Sequence, residues 1–200
     1  YAAGKSHDIR APFGTDWAGE TPPIYWCRSA LPGGRVTHYY TVEAGETLSF
    51  IGPIDPGKLT GTNAAGAFFF RLPSSGTGDV IIYNEAGYDV QIVARYNDAT
   101  TFTIEFDGVE EAALYDCDEW VSVVINAHPA GSYAFIDGVE LAHEATLAGL
   151  GGNPIFGDAA NAIDFDVAGI HYFRRLADDE IASLASAGVT HDPVDVFANW

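Results

Sequence analysis

Three acidic side chains lie close together in the stretch 105–110, and residues of this type can cleave glycosidic bonds. Glu105, Asp107 and Glu110 fall within six residues. A retaining glycosidase needs two carboxyl groups about 5–5.5 Å apart, one as nucleophile and one as general acid. In an extended strand Glu105 and Asp107 share a face, whereas Glu110, at an odd offset, faces the other side unless a bulge at Gly108 realigns it. Because Asp107-Gly108 is also a strong hairpin signal, we favour a turn here.

A second group of oxygen-bearing side chains lies in the Gly-containing stretch 153–166. Calcium takes about six to eight oxygen ligands from carboxylates, amides and carbonyls. The candidate ligands are Asp158, Asn161, Asp164 and Asp166. The EF-hand order is absent, so a solvated acidic loop is the competing interpretation. Ca²⁺ is the one cofactor we expect, since the histidines show no zinc-binding spacing.

Aromatic residues are concentrated in the N-terminal quarter of the chain. Exposed aromatic rings can stack on sugars, because one face of a ring is apolar and its edge can approach polar groups. The candidate ligand-binding residues are Trp17, Trp26, Tyr39 and Tyr40. The alternative is that these rings pack in the core or against an N-terminal arm.

Short β-rich runs separated by turn residues must position these groups. Turn signals recur about every 8–12 residues, which indicates an all-β sandwich or barrel. One helix is expected over 177–187, where Ile181, Leu184 and Ala185 share a face. Ala177 stands where a capping residue is expected, so the cap should shift to Asp178. The expected strands are 24–29, 36–43, 47–54, 67–72, 79–83, 88–96, 100–107, 121–125 and 133–136.

The order of motifs in the second half of the chain resembles one family. Trp120 opens an apolar run, Asp137-Gly138 closes the next one, and 165–176 leads into the helix. Over roughly residues 65–187 this resembles the laminin-G-like and concanavalin-A-like jelly-roll domains. The resemblance implies an all-β fold, an antiparallel two-sheet jelly-roll sandwich with an N-terminal arm and one short C-terminal helix. It also implies Ca²⁺ near a loop rim, as many laminin-G-like domains have.

The same superfamily includes enzymes, which the resemblance brings into consideration. Its laminarinase-type glycoside hydrolases carry Glu-x-Asp-x-x-Glu, which 105–110 matches, with the outer glutamates as nucleophile and acid. Its alginate lyases need Gln-x-His, which Gln91-Ile-Val lacks. Because one fold hosts lectins, adhesion modules, virion proteins and enzymes, the fold alone does not decide the function.

The charge balance limits the classes of molecule that this chain is expected to bind. With 28 acidic and 9 basic residues the net charge is −19, which argues against nucleic acid as a partner. The scarcity of lysine with dispersed carboxylates favours a protein that works in high salt, from a halophilic or marine source. The alternative is an acidic secreted or particle-surface protein that its net charge keeps soluble. No apolar run approaches the roughly 18 residues of a membrane helix. Two cysteines, Cys27 and Cys117, could be bonded or free.

These observations lead to a non-catalytic recognition module, carbohydrate-binding or adhesive. The expected organisation is an arm or long loop over 1–23, a concanavalin-A-like sandwich over 24–188 and a tail over 189–200. Because the chain begins at Tyr1 and contains no methionine, we expect a cleaved product or an excised segment. The expected partners are a glycan or neighbouring subunits, including copies of itself, at a cell or virion surface. The alternatives are a virion structural, decoration or receptor-binding protein of a halophilic or marine virus, and a glycoside hydrolase using Glu105 and Glu110.

Overall fold

The computed structural model of the chain describes residues 16–17, 26–31, 35–51, 64–85, 90–128, 131–145, 154–174 and 176–187. Within these residues, fifteen strands form two antiparallel sheets and one helix follows them. The prediction of an all-β, two-sheet sandwich with one short C-terminal helix is confirmed. No helix in the described part of the chain is long and apolar enough to span a membrane.

The two sheets contain strands from all parts of the chain. The eight-stranded sheet runs through β1 (Asp16–Trp17), β4 (Leu48–Ile51), β14 (Pro154–Phe156), β6 (Asp79–Glu85), β7 (Val90–Tyr96), β8 (Thr101–Phe106) and β10 (Tyr115–Asp116), and β9 (Val109–Glu110) also pairs with β8. The seven-stranded sheet runs through β13 (Val139–Ala145), β12 (Gly131–Ile136), β11 (Val121–His128), β5 (Ala64–Arg71), β15 (Phe165–Arg174), β3 (Arg35–Val42) and β2 (Trp26–Leu31). The helix α1 spans Asp178–Ala187.

The main core lies between the inward faces of the sheets. On β5, Phe68 and Phe70 face this core, and Phe69 between them faces outward, as the alternation of side chains in a strand requires. Phe68 meets Tyr83 and Phe156 of the other sheet, with ring centroids 5.3 and 5.0 Å apart. Apolar burial of this kind joins the two sheets into one sandwich.

Two hairpins turn at Asp-Gly pairs. Asp107 and Gly108 have φ of 49° and 81°, and Asp137 and Gly138 have φ of 49° and 80°. Positive φ at both central residues is the type I′ geometry, whose twist matches that of the flanking strands. The turn predicted at Asp107-Gly108 is therefore confirmed, and it joins β8 to β9.

Two buried asparagines tie irregular segments to the sheets. The Asn161 side chain accepts from the Ile81 N–H and donates to the Ile81 carbonyl, both at 2.9 Å, where β6 has a bulge. The Asn126 side chain accepts from the Leu176 N–H at 3.1 Å and donates to the Leu176 carbonyl at 2.9 Å. A buried amide without such partners would cost about 1–3 kcal/mol. These contacts hold the loop after β14 and the segment before α1 in place.

The helix covers part of the outer face of the seven-stranded sheet. Leu176 and Ile181 pack with Ala65, Ala67 and Val124 in a second apolar cluster. The Ile181 N–H bonds the Ala177 carbonyl, and the Ala177 N–H donates to Glu180 Oε2 at 2.8 Å. Ala177 is therefore the N-cap, with Glu180 reaching back to it as in a capping box. The expectation that the cap shifts to Asp178 was wrong, because the glutamate three residues later satisfies the backbone donor.

Every strand expected from the sequence is present, with ends that differ by a few residues, and β15 covers most of the run 165–176. Five further strands were missed, namely β1, β9, β10, β13 and β14. The sequence did not indicate β13, whose glutamates and histidine interrupt the apolar pattern, or β14, which lies inside the stretch expected to be a loop. The arm over 1–23, apart from β1, and the tail over 189–200 lie outside the described residues. The proposed division into arm, sandwich and tail stays a prediction.

Candidate functional site

Away from α1, the outer face of the seven-stranded sheet carries a row of polar side chains beside two aromatic rings. Asp166 on β15 pairs with Thr41 on β3 at one side and with Arg71 on β5 at the other. Directly opposed residues of neighbouring strands share a face, so the three side chains lie next to each other. Tyr39 and Trp120 complete this group, which we call the Arg71 cluster.

The guanidinium of Arg71 lies over both rings of the cluster. Its central carbon, Cζ, is 5.2 Å from the ring centroid of Tyr39 and 5.0 Å from that of Trp120. The two rings meet edge to face, with centroids 5.6 Å apart and an angle of 65°. Trp120 is only 9% exposed and packs with Phe69. Because this packing holds Trp120 in place, its ring is a fixed support for Arg71. The cation–π contact contributes about 0.5–2 kcal/mol.

Asp166 holds the edge of the same guanidinium. Arg71 donates from Nη2 and Nε to Asp166 Oδ2, at 2.7 and 3.2 Å, and Thr41 Oγ1 donates to Asp166 Oδ1 at 2.8 Å. Burial opposes the charge on Arg71, but the hydrogen bond and the charge of Asp166 outweigh it, so the pKa of Arg71 lies above its ordinary value. The side chains of Arg71 and Asp166 are 27% and 17% exposed, which leaves part of the pair open to solvent.

The Arg71 cluster therefore offers three kinds of contact in a small area. Asp166 supplies hydrogen-bond acceptors, Arg71 supplies donors, and the Tyr39 ring supplies apolar surface. All of them are carried by strands, and each is held by another member of the cluster. A preorganised group of this kind loses little entropy when it binds a ligand.

A second arginine cluster lies on the outer face of the eight-stranded sheet. Arg95 bonds Asp79 Oδ1 at 3.0 Å, Glu105 Oε2 at 2.8 Å and Glu110 Oε2 at 3.1 Å, and thereby links β6, β7, β8 and β9. Thr103 Oγ1 donates to Glu110 Oε1 at 2.6 Å. We call these five residues the Arg95 cluster. The hydrogen bond and charge of Asp79 are the main reasons why the pKa of Arg95 is raised.

The structure corrects the expected orientation of Glu110. Glu105 and Glu110 are direct partners across the β8–β9 hairpin, and such partners share a face. In one continuous strand the odd offset would put Glu105 and Glu110 on opposite faces, but the turn at Asp107-Gly108 reverses the chain. The guanidinium of Arg95 reaches both carboxylates through different nitrogens, so it lies in the space where a glycosidase would place the sugar.

The four predicted calcium ligands serve separate protein partners. Asp158 Oδ1 accepts from the Ala160 N–H at 2.8 Å, Asn161 bonds Ile81, and Asp164 Oδ1 accepts from the Ala44 N–H at 2.8 Å. Asp166 belongs to the Arg71 cluster. Among the described residues, no three His, Cys, Asp or Glu side chains are grouped as a metal site would require. Calcium in this loop stays a prediction that these contacts do not test.

The four predicted ligand-binding aromatics do not all lie together. Trp17 pairs with Phe50 in the eight-stranded sheet, whereas Trp26 and Tyr40 are partners in the seven-stranded sheet. Tyr40 packs against the main core, and burial raises the pKa of its phenol. Tyr39 belongs to the Arg71 cluster, and the side chains of Trp17 and Trp26 lie outside the described residues.

Sequence reasoning missed Arg71 as a candidate and singled out Asp166 only as a calcium ligand. A signal was available, because each is a charged residue at an outward position of an otherwise apolar strand, as the runs AAGAFFFR and FDVAG show. Their pairing could not be predicted, since they are 95 residues apart in the chain.

The open question about the cysteines is settled in part: Cys117 is a buried free thiol, and burial raises its pKa.

Comparison with known proteins gives a fold and no family. No protein-family model matches the sequence, and no curated protein matches it. Among solved structures, the botulinum neurotoxin serotype D binding domain is similar with a TM-score of 0.58 and 11% identity, over 87% of this chain and 47% of that one. The binding domain of botulinum neurotoxin DC in complex with SialylT gives 0.53 and 11%, over 88% and 47%.

A pentraxin has the same kind of sandwich. The heptameric SAP-like pentraxin from Limulus polyphemus is similar with a TM-score of 0.55 and 8% identity, over 75% of this chain and 82% of that one. This chain spans about half the length of the botulinum domains it matches. At these identities the similarity shows a shared antiparallel β-sandwich, of the kind found in these binding domains and in pentraxin.

Proposed function

We propose that this chain is a non-catalytic recognition module that binds carbohydrate at the Arg71 cluster. The observation that carries the proposal is the position of the Arg71 guanidinium, held over two aromatic rings and against Asp166 on a partly solvent-accessible sheet face. Sugars present apolar C–H faces beside hydroxyl groups, and the cluster offers an aromatic ring beside charged donors and acceptors.

The fold comparison supports the same class of function more weakly. The similar structures include toxin binding domains, one of them described as a receptor-binding domain. Concanavalin-A-like ancestry and a place at a cell or particle surface accord with a glycan-binding role and form part of the proposal. The alternative of a virion structural protein depends on the arm over 1–23, which apart from β1 lies outside the described residues.

Loss of binding in two variants tests the proposal. The wild-type chain is screened on an array of glycans, and the dissociation constant of the strongest ligand is measured by titration calorimetry. Arg71→Ala and Tyr39→Ala should each weaken binding at least about tenfold, equivalent to about 1.4 kcal/mol. Arg95→Ala is the matched control, because it removes the same side chain from the other outer face.

Two results would contradict the proposal. One is the absence of binding to every glycan on the array. The other is an equal loss in Arg71→Ala and Arg95→Ala, which would indicate a general effect of charge. Calcium is a separate proposal for Asp158, Asn161, Asp164 and Asp166, and the same titration with CaCl₂ or with EDTA tests whether it contributes.

A further inference from the structure

Asp166 occupies the side of Arg71 that an anionic ligand would use. The Nε and Nη2 donors of an arginine form the edge that commonly binds a carboxylate by two hydrogen bonds. In this chain both donors point to Asp166 Oδ2. A ligand carboxylate or sulfate would have to displace Asp166 to reach them.

Asp166 is held so that displacement is costly. Thr41 donates to its second oxygen, and its side chain is only 17% exposed. The three residues are carried by adjacent strands in register, so none of them moves with a loop. Moving Asp166 away would leave a partly buried carboxylate without its cation.

The charges of the cluster and of the whole chain act in the same direction. Arg71 and Asp166 together have no net charge, so the cluster does not attract an anion. The chain carries a net charge of −19, and the field of so many carboxylates repels anionic ligands over about one screening length. Neither the neutrality of the cluster nor the repulsion by the net charge of the chain opposes the binding of an uncharged ligand.

We propose that the Arg71 cluster binds uncharged saccharides through a vicinal diol, and that Asp166 is the residue that excludes acidic saccharides. One hydroxyl of the diol donates to Asp166, and its neighbour accepts from a remaining N–H of Arg71, as adjacent donor and acceptor groups allow. This inference rests on the proposed function and specifies the ligand of the same site.

Matched pairs of sugars test the exclusion. The probes are methyl β-glucoside and its glucuronide, methyl β-galactoside and its galacturonide, and lactose and 3′-sialyllactose, each titrated at one ionic strength. The wild-type chain should prefer the neutral member of a bound pair at least about tenfold. In Asp166→Asn that ratio should fall at least about tenfold, because Arg71 becomes available to the acidic sugar.

Two further variants keep the test decisive. Asp79→Asn makes the same change in net charge at the Arg95 cluster and should leave the ratio unchanged. Thr41→Val keeps both charges but frees one oxygen of Asp166, so the ratio should fall about two- to threefold. Thr41→Val also provides an answer if Asp166→Asn does not fold, as circular dichroism would show.

The outcomes separate the two proposals. If no probe of either kind binds, the inferred binding of a neutral vicinal diol is contradicted, whereas the proposed function is contradicted only if no glycan on the array binds. If the wild-type chain binds sugars and loses them in Arg71→Ala, but prefers the acidic members, the exclusion by Asp166 is wrong. An unchanged ratio in both Asp166→Asn and Thr41→Val would also overturn the inference while leaving the carbohydrate site in place.

Discussion

The two outer faces of the sandwich each carry an arginine in contact with carboxylates, but their surroundings differ. Arg71 has one carboxylate and two aromatic rings, and is 27% exposed. Arg95 has three carboxylates and is 39% exposed. One positive charge against three negative charges leaves the Arg95 cluster with a net charge of −2, whereas the Arg71 cluster is neutral.

The difference shows what makes a charged group on a sheet suitable for recognition. Arg71 lies against two aromatic rings and is held on its edge by Asp166, so its donors have defined directions. Arg95 is held by two exposed carboxylates, Asp79 and Glu110, for which water and salt compete, and by Glu105, which is 17% exposed. The first arrangement is preorganised for a ligand, and the second mainly links neighbouring strands.

Of the substitutions that test this comparison, Trp120→Ala should lower the free energy of unfolding the most. It removes a side chain that is 9% exposed, together with the support beneath Arg71, and should lower the free energy of unfolding by about 3–5 kcal/mol. Urea unfolding measures this loss. Leu114→Ala, at a residue 58% exposed, is the control and should stay within about 0.5 kcal/mol. A loss below about 1 kcal/mol for Trp120→Ala would mean that Trp120 does not support the cluster.

Arg71→Ala should destabilise the chain more than Arg95→Ala when salt is high. Removal of Arg71 leaves Asp166 partly buried without its cation, which should cost about 1–2 kcal/mol after allowing for its exposure. Arg95→Ala leaves Glu105, which is also 17% exposed, but Arg95 itself is 39% exposed against 27% for Arg71. At about 1 M NaCl the screening length is about 3 Å, so the Arg95 pairs should contribute less than the Arg71 pair. Equal losses in urea unfolding would remove the distinction between the two clusters.

The salt dependence should be larger for Arg95→Ala than for Arg71→Ala. Without Arg95, the carboxylates of Asp79, Glu105 and Glu110 repel one another. The repulsion grows as NaCl falls from about 1 M to about 0.01 M, because the screening length rises from about 3 to about 30 Å. The melting temperature of Arg95→Ala should therefore drop further below that of the wild type as salt is removed. Parallel salt curves for both variants would contradict this.

Two threonines give the smallest and most closely matched comparison. Thr41→Val removes the hydrogen bond to Asp166, and Thr103→Val removes the one to Glu110. Thr41→Val should cost about 1 kcal/mol, and Thr103→Val about half of that, because Glu110 is 43% exposed and can bond water instead. Urea midpoints at one salt concentration measure both. A larger loss for Thr103→Val than for Thr41→Val would mean that the threonine hydrogen bond of the Arg95 cluster stabilises the chain more than that of the Arg71 cluster, contrary to this prediction.

Much of the fold follows from local features of the sequence. The alternation in strands such as β8, the Asp-Gly turns and the acidic start of α1 all act over a few residues, so they could be predicted. The missed strand β14 has three residues, and its pairing partners β4 and β6 stabilise it. Residues Pro154–Phe156 are too few to show the alternation of apolar and polar side chains that indicates a strand.

The candidate site could be predicted only in part. Tyr39 and Asp166 were singled out, one as a sugar-binding ring and the other as a calcium ligand, but not as members of one group. Glu105 and Glu110 were expected on opposite faces, because the consequence of the predicted turn for their pairing was not followed through.

For the strands that it predicts, the sequence by itself determined which side chains share a face, since this depends only on the period of the backbone. It also determined the acidic surface and the places where the chain turns. Only the tertiary structure decided that Thr41, Asp166 and Arg71 form one row, because that depends on the register between strands far apart in the chain. Register is set by the packing of the whole core between the sheets, and no local stretch of residues contains it.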